Sequence, residues 1–321
     1  MSMIPMTRRT LGRGIGTLAA AGALGAYASR NRSAQAASPE KETMTETTTA
    51  SKIFEDVLRE PVVFRNEELG TTLAGIIFRP KNLTPDTQVP GILVAGQMYA
   101  PKELAQSLYA QRLAQQGYVT MVWDYSYIGS SSGQPRGLED PAAKKADIKA
   151  ATDFFRTVNG VDPNRIAAWG ICGSGAYMAY AAVEDPRLKV YVGMVPFTLM
   201  DTVHTMSREE AEAAKAHFES TGEAPELLAL IEEGSEGAAY YRQWDRGASA
   251  NYVDAVAWSQ MYWWDFNPIN FAGRITQPAL IIVGENAFTR AGDEEMYARL
   301  GSEVKLLHVT PEATHFSMYD Q

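Results

Sequence analysis

The residues best suited to chemistry lie in the stretch Gly170-Ile171-Cys172-Gly173-Ser174-Gly175, which holds the one cysteine of the chain and a serine two positions later. Small residues flank both nucleophiles with the spacing small-x-nucleophile-x-small, which is typical of a sharp strand-to-helix turn that exposes a nucleophilic side chain. Either Cys172 or Ser174 fits the apex of this turn. We favour Cys172, because the preceding apolar run predicts a strand that ends near Trp169, although most free cysteines are small buried hydrophobic residues.

The elements that must position this turn are short apolar strands separated by helical patterns. Strands that alternate with helices of ten or more residues predict βαβ units, and therefore an α/β fold with a mostly parallel central sheet flanked by helices. The predicted strands are 73–78, 91–95, 119–123, 166–169, 190–195, 279–283 and 304–309, and the predicted helices are 102–116, 141–158, 174–183 and 292–300. Between about 198 and 271 this rhythm stops, and the aromatic-rich sequence there predicts a helical insertion that forms a lid over one end of the sheet.

The composition of the 321 residues is that of a globular protein, with 45% hydrophobic and 21% charged residues. The formal net charge of -9 is spread along the chain, which argues against nucleic acid or an anionic membrane as the main partner and favours a small-molecule substrate. The sequence contains no phosphate-binding glycine loop, CxxC pair or HExxH motif. We therefore expect neither a cofactor nor a metal ion.

The N-terminus has the organisation of an export signal. An arginine pair in Thr7-Arg8-Arg9 precedes a weakly apolar stretch at 15–28, and Ala34-Gln35-Ala36 supplies small residues for cleavage. This order predicts a twin-arginine-type signal at 1–36, a flexible linker at 37–51 and a folded domain at 52–321, with a periplasmic or secreted location. The alternative is a disordered basic tail. A membrane span in the mature protein is not expected, because the apolar stretch is shorter than the ~20 residues that a bilayer requires.

Several short motifs occur in a fixed order from about Phe64 onward: Pro101-Lys102-Glu103, Gln115-Gln116-Gly117-Tyr118, Trp123-Asp124-Tyr125, Glu139-Asp140-Pro141, the turn at Cys172 and Ala313-Thr314-His315-Phe316. In this order and spacing the sequence resembles the α/β-hydrolase superfamily, and within it the dienelactone-hydrolase-like enzymes, which often carry cysteine at the strained turn. The resemblance implies a fold and a site architecture but not a substrate.

The same resemblance implies that a histidine after the last strand serves as the base. His315 follows the predicted strand 304–309 in a loop, whereas His204 and His217 lie in the insertion and His308 lies within that strand. The imidazole of His315 would take the proton of the thiol and later return it to the leaving group.

The acid that orients His315 is less clearly marked. The family usually has Asp three residues after the glycine that ends the preceding strand, and Ala287 occupies that place here. Glu285 is the first candidate, Asp293 the second and Asn286 the third, since cysteine enzymes can use an amide in this role.

Two backbone amides are expected to stabilise charge on the substrate oxygen. One is that of Gly173 at the positive end of the following helix, and the other is that of Met98 in the loop after strand 91–95. The helix N-terminus also predicts a lowered pKa for the Cys172 thiol.

These expectations favour a hydrolase that cleaves an ester, lactone or thioester through an acyl-cysteine intermediate on an apolar or ring-containing substrate. An acyltransferase would use the same residues, and the missing acid at Ala287 leaves open a non-catalytic small-molecule-binding protein of the same fold. The chain stops six residues after His315, where family members usually continue into a final helix. An apolar strip left uncovered there would favour a homodimer.

Overall fold

The structure is a computed structural model that describes residues 54–320, except residues 85, 204, 224–226, 229–232, 244–245 and 253–254. The predicted signal segment at 1–36 and linker at 37–51 lie outside the described residues, as does His204. No helix in the described part of the chain is long and apolar enough to cross a membrane.

Eight strands form the central sheet in the order β1-β2-β4-β3-β5-β6-β9-β10. The first two pairings, β1 with β2 and β2 with β4, are antiparallel, and every other pairing is parallel. The predicted α/β fold with a mostly parallel sheet is therefore confirmed. The strands are β1 Val57–Asn66, β2 Thr71–Pro80, β3 Val89–Ala95, β4 Val119–Trp123, β5 Val161–Ile171, β6 Leu188–Met194, β9 Ala279–Gly284 and β10 Lys305–Thr310, while β7 Leu227–Leu228 pairs separately with β8 Ala255–Val256.

The central strands are apolar because the sheet is covered on both faces. All five residues of β4 are buried, and its sequence Val-Thr-Met-Val-Trp has no alternation of polar and apolar residues. β1 was not predicted from the sequence because this edge strand has a mostly exposed surface, with Val63 67% exposed.

Six α-helices are described: α1 Ala105–Gln115, α2 Pro141–Phe155, α3 Gly173–Glu184, α4 Arg208–Thr221, α5 Glu236–Tyr241 and α6 Arg290–Arg299. The start of α2 is fixed locally, because the Asp140 side chain accepts a hydrogen bond from the backbone N–H of Ala142 and Pro141 occupies the first helical position. The sequence Glu-Asp-Pro therefore has a structural role here.

The insertion at 198–271 contains α4, α5, the β7–β8 pair and several single-turn helices. Part of its aromatic content forms a small core of its own, in which the rings of Phe218 and Trp258 lie 5.3 Å apart. Other rings of the insertion face a cavity described below. That the insertion serves as a lid over one end of the sheet stays a prediction.

β10 is an edge strand of the sheet with exposed apolar side chains. Val304 is 67% exposed and Leu306 is 61% exposed. Val304 immediately precedes β10 and Leu306 lies within it, and a homodimer formed through this edge stays a prediction.

Candidate active site

Cys172 lies at a strained turn in the middle of the sheet. It follows the last residue of β5 and precedes the first residue of α3, with φ 53° and ψ -120°. A positive φ is unfavourable for a residue with a side chain and persists only where the surroundings impose it. Here the Cys172 N–H donates to the Met194 carbonyl at 3.0 Å, and the Cys172 carbonyl accepts from the N–H groups of Gly175 at 2.8 Å and Phe197 at 2.9 Å.

The three glycines around Cys172 are required by close backbone contacts. A Cβ atom on Gly170 would lie 2.0 Å from the carbonyl oxygen of Ser174, so the strand and the helix could not approach. On Gly173 it would lie 2.3 Å from Met98 Cγ, and on Gly175 it would lie 2.6 Å from Pro196 Cβ. The small residues therefore make the turn possible and bring the Met98 loop against it.

Ser174 lies in the first turn of α3 and is fully buried. Its hydroxyl forms a 3.2 Å hydrogen bond with the Tyr125 hydroxyl, and it does not line the cavity that contains Cys172. The structure thus has the register in which Cys172 is at the apex, although β5 continues two residues beyond Trp169.

A cavity of about 340 Å³ lies above the turn. Cys172 and His315 both line it, and the other lining residues are almost all aromatic or aliphatic. The full lining consists of Met98, Tyr99, Cys172, Phe197, Leu199, Val203, Tyr241, Tyr252, Trp263, Phe288, His315, Phe316 and Tyr319. No Lys, Arg, Asp or Glu is present among these residues.

Two backbone amides act on the thiol of Cys172. The N–H groups of Gly173 and Met98 both favour its ionised form and so act to lower the thiol pKa. They are the two amides predicted from the sequence, and the packing of Met98 against Gly173 brings them together. Two amide donors beside a nucleophile are the arrangement that stabilises a developing oxyanion.

Burial raises the pKa of the Cys172 thiol to about 11, although the hydroxyl of Tyr319 and the amides of Gly173 and Met98 act in the opposite direction. The sequence-based expectation of a lowered thiol pKa is therefore wrong. The free energy needed to remove the thiolate from water is larger than the stabilisation that the helix N-terminus and the hydrogen-bond donors give it. In the resting site the sulfur is a neutral thiol at neutral pH.

His315 is buried and held at both ring nitrogens. Nε2 lies 2.9 Å from the Tyr319 hydroxyl, and Nδ1 lies 3.2 Å from Oγ1 of Thr289. Burial lowers the pKa of His315 to about 3, so the ring is neutral at neutral pH and one of its nitrogens carries a free lone pair. The Phe288 ring covers the imidazole, with 4.2 Å between the ring centroids.

The carboxylate linked to His315 belongs to Asp293. Oδ2 of Asp293 accepts a 2.8 Å hydrogen bond from the Thr289 hydroxyl, which in turn contacts His315 Nδ1. Asp293 is fully buried in the first turn of α6, and burial raises its pKa well above the ordinary value.

This geometry corrects the order of the acid candidates. The Glu285 side chain is exposed and accepts from the Glu312 N–H at 2.9 Å, and among the described hydrogen bonds none joins it to His315. Asn286 is also exposed, and its side chain donates to the Glu312 carbonyl. Both residues brace the loop that precedes His315, because they lie at the carboxyl end of β9 beside the end of β10.

Other buried charged residues serve the scaffold. The Lys102 ammonium lies 2.7 Å from Asp124 Oδ2 and 2.8 Å from Glu103 Oε1, so this motif anchors the loop after β4. Glu139 and Lys144 form a second buried pair at 3.3 Å. In the part of the chain that the structure describes, no three His, Cys, Asp or Glu side chains are arranged to hold a metal ion.

Two residues of the site, Thr289 and Tyr319, were not predicted from the sequence. Tyr319 lies four residues after His315, at the end of the single-turn helix Ser317–Tyr319, and this short separation lets the two side chains meet. That spacing is a local signal which could have identified Tyr319. Thr289 has no comparable signal, because its contact with His315 joins two distant segments.

Comparisons with known proteins agree with this architecture. The dienelactone hydrolase family profile matches residues 73–221. The uncharacterized protein PA2218 of Pseudomonas aeruginosa is 31% identical over 286 residues, which cover 81% of this chain and 76% of that protein. Its crystal structure superposes with a TM-score of 0.78 at 28% identity and covers 89% of this chain and 95% of that one. The uncharacterized protein YcjY of Escherichia coli strain K12 is 29% identical, with coverage of 82% and 94%.

Shorter matches join the chain to proteins with named activities. The quorum-quenching protein AidA of Acinetobacter baumannii is 30% identical over 147 residues, 46% of this chain and 47% of that protein. The thiohydrolase apmlB of Arthrinium phaeospermum is 33% identical over 125 residues, 39% of this chain and 41% of that protein. With the sheet topology, the strained turn and these matches, the chain belongs to the dienelactone hydrolase family and is an enzyme of the α/β-hydrolase type.

Proposed function

We propose that this enzyme cleaves esters, lactones or thioesters through an acyl-cysteine intermediate on Cys172. The observation that carries the proposal is the position of Cys172 at the apex of the strained turn, in the cavity that His315 also lines, with the Met98 loop packed against Gly173. A carbonyl carbon placed against the sulfur would have its oxygen close to both amides, where the negative charge of the tetrahedral intermediate develops.

We infer the tautomer of His315 from the hydrogen bonds around it. The Thr289 hydroxyl donates to Asp293, so its oxygen is free to accept from the Nδ1–H of His315. Nε2 then carries the lone pair and faces the Tyr319 hydroxyl on the side of Cys172. His315 is therefore arranged as a base on the cavity side, with Asp293 behind it to stabilise the imidazolium.

The covalent steps follow from this arrangement. The thiol gives up its proton to the imidazole as the sulfur bonds to the carbonyl carbon, and the intermediate collapses when the bond to the leaving oxygen or sulfur breaks. The leaving group takes the proton from His315. Water then bonds to the carbonyl carbon of the acyl-cysteine and gives one proton to His315. The carbon–sulfur bond breaks, His315 returns that proton to the sulfur, and the acid leaves with the thiol regenerated.

The cavity lining favours neutral, apolar acyl groups. The described lining offers no cation to hold a carboxylate, and a buried unpaired charge is strongly unfavourable. Aromatic side chains such as Trp263, Tyr252 and Phe197 give apolar contact area for a ring or an alkyl chain. The similarity to a thiohydrolase and to a quorum-quenching protein supports ester and thioester substrates.

Activity of two nucleophile variants tests this function. With p-nitrophenyl esters and acyl thioesters of varied chain length, we expect Cys172→Ala to lose activity to the buffer rate and Ser174→Ala to keep most of it. Ser174 is the matched control because it lies two residues away in the same turn but is directed at Tyr125. Loss of activity in Ser174→Ala with retention in Cys172→Ala would overturn the proposal.

We also propose that the enzyme acts after export through the twin-arginine signal at 1–36. Support comes from the order of Arg8-Arg9, the apolar stretch and Ala34-Gln35-Ala36 in the sequence. Replacement of both arginines by lysine should leave the protein in the cytoplasmic fraction, whereas the unaltered chain should be found outside it. Equal distribution of both forms would contradict export by this route.

A further inference from the structure

The hydroxyl of Tyr319 contacts His315 in the cavity that both residues share with Cys172. It lies 2.9 Å from His315 Nε2, and the Tyr319 side chain packs beside Cys172 in one apolar cluster, where its hydroxyl opposes the rise of the thiol pKa that burial causes. Nε2 is therefore occupied by the tyrosine hydroxyl, and the described hydrogen bonds include none from His315 directly to the thiol. The Tyr319 hydroxyl therefore occupies the position at Nε2 where a nucleophile normally contacts its base.

The position of Tyr319 is fixed by several contacts. The residue is 1% exposed, and its ring packs edge to face on Tyr240 with 5.0 Å between the centroids. The preceding carbonyl of Met318 accepts a 2.7 Å hydrogen bond from Tyr109, and the following residue, Asp320, forms a two-bond ion pair with Arg246 at 2.7 and 2.8 Å. Contacts on both sides thus hold the hydroxyl in place.

In the tautomer of His315 inferred above, the hydrogen bonds of the site also run in one direction. Thr289 donates to Asp293, and with the ring proton on Nδ1 that nitrogen donates to Thr289 while Nε2 accepts from the Tyr319 O–H. The oxygen of Tyr319 is then left with lone pairs to accept the S–H of Cys172. A chain of donors that runs from the thiol to the carboxylate is the arrangement needed for two protons to move together.

We propose that Tyr319 carries the proton between Cys172 and His315, an inference that rests on the proposed acyl-cysteine mechanism. As the sulfur attacks the carbonyl carbon, the thiol proton moves to the Tyr319 oxygen while the phenolic proton moves to His315 Nε2. Tyr319 ends the step neutral, with one O–H bond broken and one formed. When the leaving group departs, the same two protons return in the opposite direction, and the phenolic hydroxyl donates directly to the leaving oxygen or sulfur.

Replacement of the hydroxyl alone tests this role. We expect Tyr319→Phe to lower the single-turnover acylation rate for alkyl thioesters by about 10²-fold or more, the usual contribution of a positioned proton-transfer group, with little change in KM. The loss should be smaller for p-nitrophenyl esters, whose leaving group departs without a proton. Tyr240→Phe is the matched control, because that ring contacts Tyr319 while its hydroxyl contacts Gln97, and its rate should be unchanged.

The same variants distinguish a Tyr319 that carries the proton from a Tyr319 that only obstructs the contact between His315 and Cys172. An acylation rate in Tyr319→Phe that equals or exceeds that of the unaltered enzyme, with Cys172→Ala inactive, would overturn the proton carrier and leave the acyl-cysteine mechanism in place. Activity in Cys172→Ala would instead overturn the mechanism itself.

A measurement on the unaltered enzyme covers the case in which Tyr319→Phe does not fold. The acylation rate is measured by single turnover in mixtures of H₂O and D₂O. If two protons move together, a plot of the acylation rate against the deuterium fraction is curved, and this is the result that we expect. A linear plot would indicate that one proton moves and would contradict the role of Tyr319.

Discussion

The carboxylate of Asp293 accepts a 2.8 Å hydrogen bond from the hydroxyl of Thr289, and that hydroxyl is the group in contact with His315 Nδ1. In the proposed mechanism this carboxylate therefore acts on the imidazole through an intervening side chain. Asp293 lies in the first turn of helix α6, beyond Ala287, where the family usually carries its acid.

We predict that loss of this link lowers activity. Asp293→Asn and Thr289→Val should each reduce kcat/KM by about 10- to 100-fold, because a hydrogen bond to a charged group contributes about 1.5–3 kcal/mol and the imidazolium would lose it. Steady-state kinetics with a p-nitrophenyl ester measures the effect. Glu285→Gln is the control and should stay within twofold of the unaltered enzyme. If Glu285→Gln proved the most damaging of the three, Asp293 would not be the acid.

The reactivity of the thiol should depend on pH in a way set by its raised pKa. The thiolate is the nucleophile toward iodoacetamide, and with a pKa of about 11 only about one thiol in 10⁴ is ionised at pH 7. We predict that labelling of Cys172 in the folded protein is slow at pH 7 and rises about tenfold per pH unit toward pH 10. Mass spectrometry after timed quenching measures the rate. Fast labelling at pH 6 would show a stabilised thiolate and contradict the burial argument.

The sequence predicted the scaffold of the site better than its contacts. Gly170, Gly173 and Gly175 mark the turn because their small size is a local requirement, and the Met98 loop follows from strand order. The contacts of His315 could not be predicted in the same way, because they depend on how the loops after β9 and β10 pack in three dimensions. The raised thiol pKa was missed for the same reason, since a helix N-terminus can be seen in sequence and burial cannot.

The absence of cations from the described cavity lining predicts discrimination against charged acyl groups. The p-nitrophenyl esters of butyric acid and of succinic acid have four-carbon acyl chains and the same leaving group, but the second carries a carboxylate. We expect kcat/KM for the butyryl ester to exceed that for the succinyl ester by at least about 10²-fold, because the cavity would leave that carboxylate unpaired. Equal rates would show that the acyl group lies elsewhere or that a cation reaches it.

The close packing of α3 on the loop after β6 predicts a stability cost for one small substitution. Gly175→Ala would place Cβ 2.6 Å from Pro196 Cβ, so the free energy of unfolding should fall by about 1–3 kcal/mol. Gly273→Ala is the control, because its Cβ would meet its nearest neighbour, the Arg299 carbonyl oxygen, at 3.5 Å. Urea unfolding followed by circular dichroism measures both variants. Equal free energies of unfolding for Gly175→Ala and Gly273→Ala would mean that the turn can accommodate a Cβ atom at residue 175.

The central claim is that substrate is bonded to Cys172 during turnover, and rapid-quench mass spectrometry tests it most directly. The enzyme is mixed with excess acyl thioester, quenched in acid within milliseconds, digested and mapped. We predict that the acyl mass is present on the peptide that contains residues 170–175, with fragmentation that assigns it to the sulfur of Cys172. An acyl group on Ser174, or turnover with no adduct on this peptide at any time point, would contradict the account.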